Sequence, residues 1–112
     1  MGRYITTAGT AQTATRTVTS GSTTVTANER ILCALTSAAT ITLPLAANTL
    51  VGDTIQVIDV LGNFATNNCT IARNSNLIQS LAEDLVCDIN GTILTLVYTG
   101  ATYGWVAAGV GA

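Results

Sequence analysis

Few residues in this 112-residue chain could do chemistry. It has no His and no Lys, so the side chains that most often act as general base or amine nucleophile are missing. Six carboxylates remain: Glu29, Asp53, Asp59, Glu83, Asp84 and Asp88. Asp53 and Asp59 stand six apart in DTIQVID. That even spacing sends both to one face of a strand, but about 20 Å apart, beyond the reach of a carboxylate dyad. Glu83, Asp84 and Asp88 could offer oxygens to calcium. They lack the alternating acidic pattern of a calcium loop and read as solvated loop ends. The cysteines Cys33, Cys69 and Cys87 are widely spaced, with no C-x-x-C, and the usual zinc sets need His. Each lies in an apolar run (ILCAL, NCTIA, DLVCDI), so the expectation is three reduced, buried thiols. No phosphate-cradling glycine loop is present. Catalysis is the least favoured class, and no cofactor or metal is implied.

The four basic residues are all Arg: Arg3, Arg16, Arg30 and Arg73. They are scattered and form no basic stripe, which argues against nucleic acid as a partner. Arg30 and Arg73, at strand ends, could pair with Asp59 or Asp84 or reach outward to water. No apolar run is long enough to span a membrane, and the N-terminus lacks the apolar core of a secretion signal. MGRYIT matches the formal myristoylation pattern at Gly2 and Thr6, but no polybasic second signal accompanies it.

Charged residues make up 9% of the chain, against about 25% in ordinary domains. Twenty-one residues are Thr, a β-branched type that suits strands. Hydrophobic residues reach 48%. With so little charge, that apolar excess points to surface covered by partner subunits.

The elements that must position these groups are short β segments separated by Gly/Asn turns. Segments 30–35, 39–45, 53–60, 69–73, 84–89 and 92–99 read as strands, and a last strand carries Trp105. Pro44 ends ladder pairing. DTIQVIDVLGNFATNNCTIARN, residues 53–74, reads as a hairpin, with Asp53 in a turn and Asp59 near a strand end. Asn90–Gly91 is the strongest hairpin signal. TILTLVYT places Leu94, Leu96 and Tyr98 on one face and Ile93 and Val97 on the other, which suits a strand covered on both sides. The expected core is Ile41, Leu43, Ile55, Val57, Ile71, Leu94, Leu96, Tyr98 and Trp105. Strands at this spacing predict an all-β fold, a small antiparallel β-sandwich or jelly-roll-like barrel. No internal repeat of fixed length is visible.

Residues 1–28 differ in composition. They are rich in Thr, Ala, Gly and Ser, with Val18 and Val25 around an SGS turn. The expectation is an extended N-terminal docking arm before a β-domain spanning 29–112, with a weak hairpin as the other option. Arg3, Tyr4, Ile5, Val18 and Val25 are its candidate partner-docking residues. Tyr103 and Trp105, separated by Gly104, could stack on a ligand ring; a Trp beside a terminal strand also serves as a core plug.

Several motifs in the second half carry a family resemblance. They are I-T-L-P at Ile41–Pro44, V-G-D at Val51–Asp53 and V-I-D at Val57–Asp59. G-N-F follows at Gly62–Phe64, then N-x-x-I-x-R-N at Asn68–Asn74 and a final strand leading to G-x-x-Y-x-W-V, within Thr95–Val106. Together they resemble the small β domain of tailed-bacteriophage virion structural proteins, found in tail fibres, appendages and capsid decorations. MGRYIT resembles the start of short virion proteins of cyanobacterial phages. The resemblance implies a homotrimer on the virion, without catalytic residues, made in the host cytoplasm. Its partners would be other copies of itself and the major capsid protein or a tail or neck protein. A decoration (cement) protein is the leading expectation, on the short length. A tail- or neck-fibre component with a receptor-facing knob is the alternative. A carbohydrate-binding module using Tyr103 and Trp105 is a third.

Overall fold

A computed structural model of the chain describes residues 14–111. Nine strands form two mixed sheets: β1 (Ala14–Val18), β2 (Gly21–Thr24), β3 (Glu29–Cys33), β4 (Ala39–Thr42), β5 (Thr54–Asp59), β6 (Cys69–Ala72), β7 (Leu85–Cys87), β8 (Ile93–Tyr98) and β9 (Trp105–Gly111). One sheet has the order β1-β3-β5-β8-β9, the other β2-β4-β6-β7. A single 3-10 turn, Ala46–Asn48, is the one helical element among the described residues. The all-β expectation holds at this level.

The antiparallel expectation does not. The first six strands alternate between the sheets, and within each sheet they run parallel. The chain therefore winds as a flattened coil, placing one strand in each sheet per turn, for three turns. A parallel pair needs a crossover connection; here the strand of the opposite sheet supplies it. Only β7, β8 and β9 run antiparallel to their neighbours and close the last turn. Register aligns Ala14 with Glu29 and Glu29 with Ile55. On the other sheet it aligns Gly21 with Ala39 and Ala39 with Cys69. The loops lengthen from turn to turn, so the structural repeat leaves no fixed period in the sequence.

Two hairpin expectations fail for the same reason. β5 and β6 lie in different sheets, so residues 53–74 form an arch, not a hairpin. Asn90–Gly91 likewise carries the chain from β7 in one sheet to β8 in the other. Gly/Asn turns reverse the chain in both geometries. What differs is whether the two strands lie side by side or face each other. Facing brings the inward side chains Ile55 and Val57 onto the side of Cys69 and Ile71, and all four are fully buried.

Alternation sets the inward face: β5 alternates half-buried and buried residues through all six positions. All nine expected core residues are buried. Val18, Val25, Ile31, Leu35, Phe64 and Ile78 join them, with all three cysteines. Tyr98 and Trp105 pack with ring centroids 5.3 Å apart at 54°, a tilted aromatic contact. β8 is fully covered on one face only: Leu94, Leu96 and Tyr98 are buried, while on the other Thr95 and Val97 are half-buried and Ile93 is 45% exposed.

The arm expectation needs its boundary corrected. Residues 14–24 are β1 and β2, the first turn of the coil, and they pair with β3 and β4. Val18 and Val25 are buried core residues, not docking residues, and the two strands form no hairpin with each other. These Thr-rich strands send little inward: Val18 is the one buried residue of β1, and Val25, directly after β2, is the other. Arg3, Tyr4 and Ile5 lie outside the described residues.

Deleting residues 1–28 removes a turn of the coil and uncovers β3 and β4. The truncated chain should lose cooperative unfolding in circular dichroism. Val25→Ala should cost about 2 kcal/mol, read from urea denaturation. A truncated chain as stable as the full one would contradict the integral first turn.

Candidate functional site

The winding gathers the connections at two ends. The loops after β2, β4, β6 and β8 meet at one end, and those after β1, β3, β5 and β7 at the other. The groups singled out by type lie in these loops or, like Glu29, Asp59 and Trp105, at strand ends, and the structure uses several of them to join one turn to the next.

Asp59 ends β5 and is buried. Its carboxylate accepts the backbone N–H groups of Asn63 (3.2 Å), Phe64 (3.0 Å) and Gly91 (2.9 Å). It thus ties the β5–β6 arch to the β7–β8 crossover. Asn63 and Asn67 donate from their side chains to the Leu35 carbonyl, and Asn90 accepts Ala65 N–H. At the other end Asp53 accepts Leu50 N–H at 2.8 Å and the Asn28 side chain at 3.2 Å. Asn28, with φ of 65°, in turn accepts Thr54 N–H. Asn76 donates to the carbonyls of Pro44 and Arg73. The Asn and Asp residues that read as turn formers therefore act largely across turns.

The sequence reading missed the principal ion pair. Glu29 is 3% exposed. Its carboxylate takes Arg16 Nε at 2.8 Å and Arg16 Nη2 at 3.1 Å, a two-point contact. It also accepts Thr26 N–H and the Thr26 hydroxyl. Burial works to raise the Glu29 carboxyl, but the Arg16 guanidinium and the two Thr26 bonds outweigh it and hold the group below its ordinary value. The one cue in the sequence was Glu29 three residues after Thr26. The spacing of Arg16 from Glu29 becomes meaningful only when β1 pairs with β3. Arg30 and Arg73 do not pair with Asp59 or Asp84 through their guanidinium groups. Arg30 donates to Gln56, and Arg73 donates to the Asn76 carbonyl. Asp84 accepts the backbone N–H of Arg73.

Glu83, Asp84 and Asp88 are exposed. Among the described residues no three His, Cys, Asp or Glu side chains gather as a metal-ligand set. Trp105 is fully buried while Tyr103, two residues away, is 59% exposed. The two rings do not form a stacking platform. Gly104 separates them with φ of 74°, and a Cβ there would overlap the Leu77 carbonyl. The core-plug expectation for Trp105 is the one met.

The surface carries the remaining functional signal. Leu50 and Val51 are 75% and 74% exposed in the loop before β5. Leu45 in the same loop, and Leu81 and Tyr103 in other loops of that end, are also about half exposed. At the opposite end Val60, Leu61 and Ile89 stand out. An apolar groove of about 260 Å³ lies between β7 and β9, lined by Leu85, Val86, Ile89 and Ala107. No helix among the described residues is long and apolar enough to cross a membrane. No protein-family model matches the sequence, and comparison with curated proteins finds no relative.

Asp59→Ala should leave three amide groups without their acceptor and cost about 3 kcal/mol, measured by urea denaturation. The Glu29 pair gives a pH signature. Its carboxyl is depressed in the folded state, so the stabilisation is fully present above the unfolded value of about 4.3. It is lost as pH falls through the folded value. The thermal midpoint should therefore hold from pH 7 to 5 and fall below about pH 4. Glu29→Gln should cost about 2 kcal/mol at pH 7 and flatten that acid limb. An unchanged acid limb in this variant would exclude Glu29 as its source.

Proposed function

We propose that this chain is a virion structural protein, a homotrimeric capsid decoration (cement) protein with no catalytic step. The observation that carries the reading is the apolar loop end: Leu50 and Val51 are about three-quarters exposed at the same end of the coil as the half-exposed Leu45, Leu81 and Tyr103. A chain with 9% charged residues has little polar surface to offset such a patch. Patches of this kind mark contact surfaces between proteins. The fate of the carboxylates supports a structural role as well. Glu29, Asp53, Asp59 and Asp84 are engaged in holding the coil together. The motif resemblance from Ile41 to Val106 supplies the setting, a particle surface, and the homotrimer. In this reading the loop end packs copy against copy, and residues preceding β1 reach the major capsid protein.

A tail- or neck-fibre component is the second reading. A coil that grows by adding turns suits an elongated appendage, and three turns are present here. A carbohydrate-binding role through Tyr103 and Trp105 is not carried forward, because Trp105 is buried.

Light scattering on the purified chain should give the mass of three copies at micromolar concentration. Leu50→Asp combined with Val51→Asp should keep the β-type circular dichroism yet yield a monomer. A monomeric parent chain overturns the trimer. Quantitative mass spectrometry of particles separates the two readings: copies covering the capsid lattice support decoration, and a small set at one appendage supports the fibre.

A further inference from the structure

Asn90 is the one Asn followed by Gly in the sequence. With no Cβ on the next residue, nothing shields its backbone nitrogen from the Asn side-chain carbon. The pair forms the turn of the β7–β8 crossover, with Gly91 at φ of 80° and Asn90 exposed to water. Both reacting groups are occupied. Asn90 Oδ1 accepts Ala65 N–H at 2.9 Å, and Gly91 N–H donates to Asp59 Oδ2 at 2.9 Å. Asp59 ends β5, and Ala65 lies in the arch that follows it. The next residue is tied too: the Thr92 hydroxyl donates to the Ile89 carbonyl at 2.6 Å, and Asp59 N–H donates to the Thr92 carbonyl at 2.9 Å.

We propose that Asn90–Gly91 is a latent self-modification site: the closed coil holds it shut, and opening of this loop end lets Asn90 deamidate, which then hinders reclosure. The chemistry needs only water. The Gly91 nitrogen attacks Asn90 Cγ and gives up its proton to water. The bond from Cγ to the side-chain nitrogen breaks, and that nitrogen takes a proton from water and leaves as ammonia. A succinimide ring remains. One water opens it, at Cγ to give Asp or at the backbone carbonyl to give isoaspartate. The sum is one water consumed and one ammonia released.

Geometry decides which state reacts. Ring closure needs the nitrogen and Cγ in near-attack contact, about 3–3.5 Å apart and aligned. Reaching that contact takes rotation about χ1 and ψ of Asn90, which turns the side-chain amide and the Gly91 peptide toward each other. Ala65 pins the first group and Asp59 pins the second. Both pins come from the arch side, so they release together when arch and crossover part. The isoaspartate product carries one more methylene in the main chain, which shifts Gly91 N–H away from Asp59. The Asp product adds a negative charge two residues after Asp88.

The test follows deamidation in the full chain at neutral pH, folded and in urea. Trypsin cuts after Arg73, and fragmentation of the 74–112 peptide separates Asn90 from Asn74 and Asn76. In urea Asn90 should convert ahead of the other two. In the folded chain it should convert at least about tenfold more slowly. Asp59→Asn removes the carboxylate and should bring the folded rate toward the unfolded one. If that variant fails to fold, a urea series on the parent chain decides: the Asn90 rate should climb as the β-type circular dichroism is lost. Chain converted in urea and then refolded should melt about 5 °C lower than fresh chain taken through the same refolding. A folded chain that converts as fast as the unfolded one overturns the proposal. So does a folded Asp59→Asn variant with the parent rate, a rate that is flat across the urea series, or an unchanged midpoint after conversion.

Discussion

One turn of this coil cannot bury its own inward face. β4 sends Ala39 and Ile41 inward, and β6 sends Cys69 and Ile71. Those few side chains are covered only when the strand of the opposite sheet stands across from them and a further turn stacks alongside. Burial at about 25 cal/mol per Å² of apolar surface rewards the stacking, and everything else in the structure follows from it. The parallel pairing, the alternation of strands between sheets and the shared interior are one solution to one packing problem. The same constraint explains why β1 and β2 belong to the fold despite their Thr-rich composition: Val18 and Val25 cover what would otherwise be an open end of the core.

Stacking by apolar contact leaves the loop ends to be organised, and polar side chains do this work. Backbone bonds join some loops directly, as Thr36 N–H to the Thr19 carbonyl and Ser80 N–H to the Tyr103 carbonyl, but arches of different length leave gaps between others. Asn and Asp side chains bridge the gap, with Asp59 gathering three amides from two connections and Asn76 reaching the carbonyls of Pro44 and Arg73. A buried carboxylate is costly to desolvate unless several donors meet it. Asp59 has three backbone donors, and Glu29 has a guanidinium and two donors from Thr26.

A chain whose carboxylates are largely engaged in this way has little charged surface left. Its exposed loop ends carry Leu50, Val51, Val60, Leu61 and Tyr103 instead. Low charge and exposed apolar loops give the proposed structural reading its physical basis.

The sequence by itself determined which residues form strands after residue 28 and which side chains point inward. Alternation at period two and turn residues between the runs are local properties, so Ile41, Leu43, Ile55, Val57, Ile71, Leu94 and Leu96 were all legible as core. Burial of the cysteines followed from their apolar surroundings in the same way. Pairing was not legible. Residues 53–74 carry the same turn signals whether the flanking strands lie side by side or face each other, and only the fit of their inward faces across the core chose the arch. Strands β1 and β2 were hidden because each sends almost nothing apolar inward, so no periodicity marks them. The Arg16–Glu29 pair was equally hidden. Its separation in sequence has no meaning until the parallel register of β1 with β3 brings the two groups together.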